Sequence, residues 1–121
     1  MSKILAVDDD GHTLHLIRLL LERQNYQVVT ASDGVEALEM VAKEHPDLII
    51  CDVMMPQMSG FEVLRALKAN PETATIPIMM LTARTGDTDI SDLWSYGVDL
   101  HLAKPFDPGE LIQFVERILA R

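Results

Sequence analysis

The run Leu48-Ile49-Ile50-Cys51 ends on a single carboxylate, Asp52, and is bracketed by Pro46 and Pro56. A continuous apolar stretch of this kind predicts a strand buried on both faces, as a parallel sheet between helices requires. In such sheets the carboxyl ends of the strands face the ligand crevice, so Asp52 is expected where chemistry takes place. The segment from Val53 to Ser59, with Pro56 and Gly60, is expected to be a loop leading to the next helix.

The rest of the chain alternates strand and helix signals. Ile4 to Val7 predict a first strand, followed by Asp8-Asp9-Asp10; Asp10 is a plausible N-cap for a helix that runs to about Gln24 with Leu14, Ile17, Leu20 and Leu21 inward. Gln27 to Thr30 predict the second strand. Asp33-Gly-Val-Glu36 reads as a capping box opening a helix with Val35, Leu38, Val41 and Ala42 on one face. After the central strand, Ser59-Gly-Phe-Glu62 repeats that pattern, with Phe61, Leu64 and Leu67 as the apolar stripe up to Asn70-Pro71. Ile76 to Leu81 predict the fourth strand, closing on Thr82. A polar stretch from Thr85 precedes a weakly patterned helix through Leu93, Trp94 and Tyr96, ended by Gly97. Val98 to Leu102 predict the fifth strand, leading to Lys104-Pro105. Asp107-Pro-Gly-Glu110 supplies an N-cap, a first-turn proline and a capping box for a last helix with Leu111, Phe114, Val115, Ile118 and Leu119 inward.

The 121 residues fit one domain with a genuine core, and 48% apolar against 24% charged residues is a globular balance. A net charge of −9 argues against nucleic acid or an anionic membrane as a direct partner, so a DNA output would need another chain or domain. The one cysteine, Cys51, falls mid-strand and is expected to be a buried hydrophobe in a reducing, cytoplasmic setting. No signal peptide or membrane span is legible. The last helix ends so near Arg121 that no effector fits within these residues, and the sequence leaves open whether the chain stands alone or is cut from a longer protein.

Five β/α pairs imply an α/β fold, a doubly wound parallel five-stranded sheet, and the right-handed crossover rule leaves few orders, of which the flavodoxin-like 2-1-3-4-5 is favoured. That order makes strands one and three neighbours, so Asp8, Asp9 and Asp52 converge at one sheet edge with Thr82 and Lys104. Three crowded carboxylates cannot all stay ionised without a compensating cation, and an all-oxygen set suits a hard metal such as Mg²⁺, or Mn²⁺. A metal, a lysine and a hydroxyl around one accessible carboxylate suit phosphoryl uptake, with Asp52 as nucleophile and an acyl phosphate as product.

Those residues carry a resemblance to the receiver domain of two-component response regulators. It covers essentially the whole chain: Asp8-Asp9 after the first strand, Asp52 leading into Met54-Met55-Pro56-Gln57-Met58-Ser59-Gly60, then Thr82-Ala83 and Lys104-Pro105-Phe106. The resemblance implies that Asp52 accepts phosphate from a sensor histidine kinase or a histidine phosphotransfer protein. It implies that Asp9, Asp52 and the backbone carbonyl of Met54 hold Mg²⁺ directly, with Asp8 acting largely through water. Thr82, Ala83 and Lys104 would contact the phosphoryl oxygens, and Lys104-Pro105 would be a cis peptide. His101 falls at the aromatic position that switches when Thr82 moves toward the phosphate.

Plainer roles compete with each assignment. Asp8 and Asp9 compete as helix caps, a role for which Asp10 is better placed; Asp52 competes as a turn former, Lys104 as a solvated charge, Thr82 as a strand-end residue and His101 as a half-exposed one. The methionines Met54, Met55, Met58, Met79 and Met80 read as loop anchors and strand packing, since thioethers are too soft for Mg²⁺. Leu93, Trp94, Tyr96 and Leu100, beside His101, are either local filling or a docking face for a second copy or an effector. A flavin carrier would need a glycine- and hydroxyl-rich phosphate loop after the first strand. A phosphatase working through an aspartyl phosphate would want a carboxylate where Met54 stands. A receiver-like scaffold that is never phosphorylated is disfavoured by the full acceptor set.

Overall fold

The computed structural model describes residues 2–55, 58–83 and 98–120. Within them the chain runs β1 (Lys3–Val7), α1 (Gly11–Glu22), β2 (Gln27–Ala31), α2 (Gly34–Glu44), β3 (Leu48–Asp52), α3 (Gly60–Ala69), β4 (Ile78–Ala83), β5 (Leu100–Lys104) and α4 (Pro108–Leu119). The five strands form one parallel sheet in the order β2-β1-β3-β4-β5, as the β/α alternation predicts.

Strand alternation divides the core in two. Leu5, Val7, Ile49, Cys51, Ile78 and Met80 face Ala37 and Val41 of α2 and Val63, Leu64 and Leu67 of α3. Ile4, Ala6, Leu48, Ile50, Met79, Leu81 and Leu102 face Ile17 and Leu21 of α1 and Leu111, Val115 and Ile118 of α4. Every residue of β3 is buried, which is why the stretch carries no polar side chain before its last position. Burying a leucine or isoleucine this fully contributes about 1.5–3 kcal/mol, so β3 cannot slip register without losing both layers.

The helix starts follow their caps. Asp10, Asp33, Ser59 and Asp107 all have extended backbone and accept a hydrogen bond from the first turn. Among the described residues, only Ser59-Glu62 closes the full reciprocal box. At α2, Asp33 accepts from the Glu36 N–H, but the Glu36 carboxylate reaches one residue further back and accepts from the Ser32 N–H at 2.6 Å. At α4, Asp107 accepts from Gly109 N–H, with Pro108 at the first position, rather than through a box with Glu110.

Three expectations shift. On α2, Val41 is buried and Leu38 packs on the core as expected, but Gly34 and Ala37 complete the inward face while Val35 is 51% exposed and Ala42 is exposed. β4 begins at Ile78 rather than Ile76, since Pro77 has no N–H for the ladder and offers only its carbonyl, to Ile49 N–H. β5 begins at Leu100 and extends to Lys104: Asp99 serves as its lead-in, its N–H donating to Ile78 O and its carboxylate accepting from Ile78 N–H at 2.9 Å. The helix expected through Leu93, Trp94 and Tyr96 lies outside the described residues. No helix among the described residues is long and apolar enough to cross a membrane.

Candidate functional site

The Val7–Cys51 pair is the last in the β1/β3 register, so Asp8 and Asp52 follow side by side as the strands end. By strand alternation Asp8 continues the row of Ile4 and Ala6, Asp52 that of Leu48 and Ile50, and Lys104 that of Leu102, all on the α1/α4 face. Three strands thereby deliver two acids and a base to one point. Carboxylate oxygens of Asp8, Asp9 and Asp52 lie within 4.8 Å of one another. Asp8 is fully buried and Asp52 only 5% exposed, whereas Asp9 is exposed.

Each buried carboxylate has assigned partners. Asp8 Oδ1 accepts from Asp10 N–H at 2.9 Å and Oδ2 from Lys104 Nζ at 2.6 Å. Asp52 Oδ1 accepts from Met54 N–H at 3.2 Å, and Oδ2 lies 3.3 Å from Lys104 Nζ. Burial, reinforced by the Asp8 charge, pushes Asp52 up to about 6 against the opposing pull of Lys104 and Met54 N–H. Lys104 titrates above its usual range: burial opposes its charge, but the hydrogen bond to Asp8 and the charge of Asp52 outweigh that. The neighbouring Cys51 thiol is pushed up to about 12 by burial and then by Asp52 and Asp8, so no thiolate competes for an electrophile here. Accumulated negative charge, oxygen-only donors and one exposed member suit a hard divalent cation.

The remaining predicted residues sit around this cluster. Asp52 pairs with Leu81, so Thr82 and Ala83 extend β4 past the acid, and Thr82 is buried. Ala83 and Lys104 are register partners. The Lys104–Pro105 peptide is cis. His101 is half-buried on β5 opposite Met80. Leu100 is half-buried too, packed on the α1/α4 core rather than standing in an open patch. Trp94 and Tyr96 lie outside the described residues. Among the methionines, Met79 and Met80 are strand core and Met55 and Met58 pack on the α2/α3 core, whereas Met54 is 62% exposed.

Two contributors were not read from the sequence. Gly60 donates its N–H to Val53 O at 2.9 Å, and a Cβ there would run into the Asp52 carbonyl oxygen. Asp10 adds its own backbone N–H to Asp8 besides capping α1. A cavity of about 450 Å³ opens between the C-terminal ends of α2 and α3, lined by Val41, Leu67 and Ile76, at the opposite end of the sheet from the acids.

The sheet order and the acid cluster define a class, the phosphoacceptor domains of two-component signalling. The chain belongs to the response regulator receiver domain family, whose model matches residues 4–116. It is 43% identical to the alkaline phosphatase synthesis transcriptional regulatory protein PhoP of Bacillus subtilis over 99% of this chain and 49% of that protein. Identity to the transcriptional regulatory protein CpxR of Escherichia coli is 40%, over 100% of this chain and 50% of that one. The chain therefore spans about half the length of these curated relatives. Among solved structures, a putative response regulator from Chloroflexus aurantiacus superposes with a TM-score of 0.90 at 40% identity, covering 99% and 98% of the two chains. The chemotaxis response regulator CheY4 of Vibrio cholerae gives 0.90 at 37%, covering 98% of each.

Proposed function

We propose that residues 1–121 form one receiver domain in which Asp52 takes a phosphoryl group from the phosphohistidine of a sensor histidine kinase or histidine phosphotransfer protein. The observation that supports this most is the setting of Asp52: a carboxylate at the end of a fully buried strand, within 4.8 Å of two further acids and 3.3 Å from Lys104. With its carboxyl near 6, most Asp52 is ionised at neutral pH and competent to attack. An Asp52 oxygen forms the bond to phosphorus as the P–N bond to the donor imidazole breaks, and the electron pair stays on that nitrogen.

Asp9, Asp52 and the Met54 carbonyl would hold Mg²⁺ or Mn²⁺, with Asp8 behind them through water. When bound, the ion neutralises charge on the phosphoryl oxygens. Lys104, the Thr82 hydroxyl and the Ala83 N–H would receive those oxygens, which requires Lys104 to shift from Asp8 toward the phosphoryl group. Movement of Thr82 would be read by His101 and passed to a surface beside it, where a second copy or an effector would dock. Turnover is confined to phosphorylation and dephosphorylation of the chain itself, in a cytoplasmic setting. With a net charge of −9, this segment is not expected to touch nucleic acid.

Incubation with acetyl phosphate and Mg²⁺, followed by intact mass measurement, tests this. One phosphoryl group should be added to the wild type and none to Asp52→Asn, and chelation should prevent labelling. Equal labelling of Asp52→Asn would defeat the assignment.

A further inference from the structure

Gly34 is the first residue of α2 and is buried. Its φ lies outside the left-handed region, so its backbone could be adopted by any residue; what the position requires is room. A Cβ at Gly34 would stand 2.7 Å from Met58 Cγ, 2.7 Å from Sδ and 2.8 Å from Cβ. The thioether can swing aside, but the Met58 Cβ is fixed by its main chain, so a methyl group here must displace the loop backbone itself.

That backbone leads to the acid cluster. Two residues after Met58, Gly60 donates to Val53 O at 2.9 Å and abuts the Asp52 carbonyl so closely that it too has no room for a Cβ. Val53 is tied to Leu81 O at 3.0 Å, and the next N–H, of Met54, holds Asp52 Oδ1. The path runs from the start of α2, through Met58 and Gly60, to the atoms that orient the Asp52 carboxylate. We propose that Gly34 is a positioning residue for the acid site: by leaving space for Met58 it sets the return leg of the β3–α3 loop, and through it the carboxylate and carbonyl presented to a divalent cation. This rests on the Mg²⁺ reading of the acid cluster.

The sign of the effect separates this from a helix property. Alanine is favoured over glycine within a helix, so without the clash Gly34→Ala would be neutral or stabilising. The experiment titrates Mg²⁺ calorimetrically into metal-free wild type, Gly34→Ala, Met58→Ala and the double variant, and records the Met54 and Gly60 amide resonances without metal. Gly34→Ala should weaken Mg²⁺ binding about tenfold, as loss of a ligand-orienting contact does, and shift both resonances. In the Met58→Ala background the same change should leave affinity within about twofold of Met58→Ala alone, because the colliding side chain is gone. An equal loss in both backgrounds, or none in the wild type, overturns the proposal. Should Gly34→Ala fail to fold, the double variant must fold and bind like Met58→Ala; an unfolded double variant also overturns it. A wild type that binds no Mg²⁺ defeats the reading of the cluster instead, and the amide shifts, with their loss in the double variant, then decide the Gly34–Met58 linkage.

Discussion

Lys104 Nζ lies 2.6 Å from Asp8 Oδ2, joining the end of β5 to the end of β1 across two intervening strands. Asp8 is fully buried, so its charge is held in the fold by that ammonium together with the Asp10 N–H. The same lysine reaches Asp52 at 3.3 Å, which makes it the counter-charge for both buried acids.

Lys104→Met should therefore destabilise the metal-free protein. Removing one partner of a fully buried pair costs about 3–5 kcal/mol; with Lys104 25% exposed, about 2 kcal/mol is expected. Denaturant unfolding in chelator measures it, and Mg²⁺ should recover part of the loss, since a cation can replace the missing charge. Unchanged stability would mean that Asp8 does not depend on the pair.

The raised carboxyl of Asp52 gives a pH signature with a definite sign. Between about pH 4 and 6 the unfolded chain has released this proton while the folded chain retains it, so stability contributed by the group is present at low pH and is lost as pH rises to about 6. Asp52→Asn abolishes that dependence and should stabilise the metal-free protein at pH 7 by on the order of 2–3 kcal/mol. Thermal unfolding of both proteins in chelator across pH 4–8 provides the check; parallel curves would show that Asp52 titrates normally.

Mg²⁺ should relieve the same repulsion. At about 100 times its dissociation constant, stabilisation of about 2.7 kcal/mol follows from mass action. Asp9→Ala should remove most of this gain yet leave the metal-free melting temperature nearly unchanged, because Asp9 is exposed. A melting temperature indifferent to millimolar Mg²⁺ in the wild type would exclude a site here.

Glycines at helix starts should respond oppositely to alanine. Gly60→Ala forces a Cβ against the Asp52 carbonyl and Met80 Cε, and should cost about 3 kcal/mol or more, as overpacking does. Gly11→Ala meets nothing within 4 Å and should be neutral or stabilising by about 0.5–1 kcal/mol. Chemical unfolding of the two variants distinguishes these; equal effects would show that the β3–α3 loop yields freely.

The sheet order and the acid cluster were legible because the signals were redundant: β3 is apolar at every position before Asp52, four caps mark the four described helix starts, and β/α alternation leaves few arrangements. Boundaries failed where one side chain replaces a backbone partner. The apolar Ile76 and Val98 looked like strand starts, but Pro77 lacks an N–H and the Asp99 carboxylate takes up that of Ile78. The inward face of α2 was legible at Leu38 and Val41 but not at Gly34 and Ala37, because small residues leave little hydrophobic signal even where close packing selects them. The link from Gly34 to Met58 is a long-range steric fact with no sequence period behind it. Nor does any local pattern announce that Lys104 rests on Asp8, since the pairing depends on the register of β1, β3, β4 and β5 together.

The acyl phosphate itself can be located. After treatment with acetyl phosphate and Mg²⁺, borohydride reduces an aspartyl phosphate to homoserine with release of phosphate, and peptide mass mapping reads the position. Homoserine at position 52 and nowhere else is the predicted result. Homoserine at position 8 or 9 instead, or none in a protein that intact mass shows to be phosphorylated, would contradict Asp52 as the acceptor.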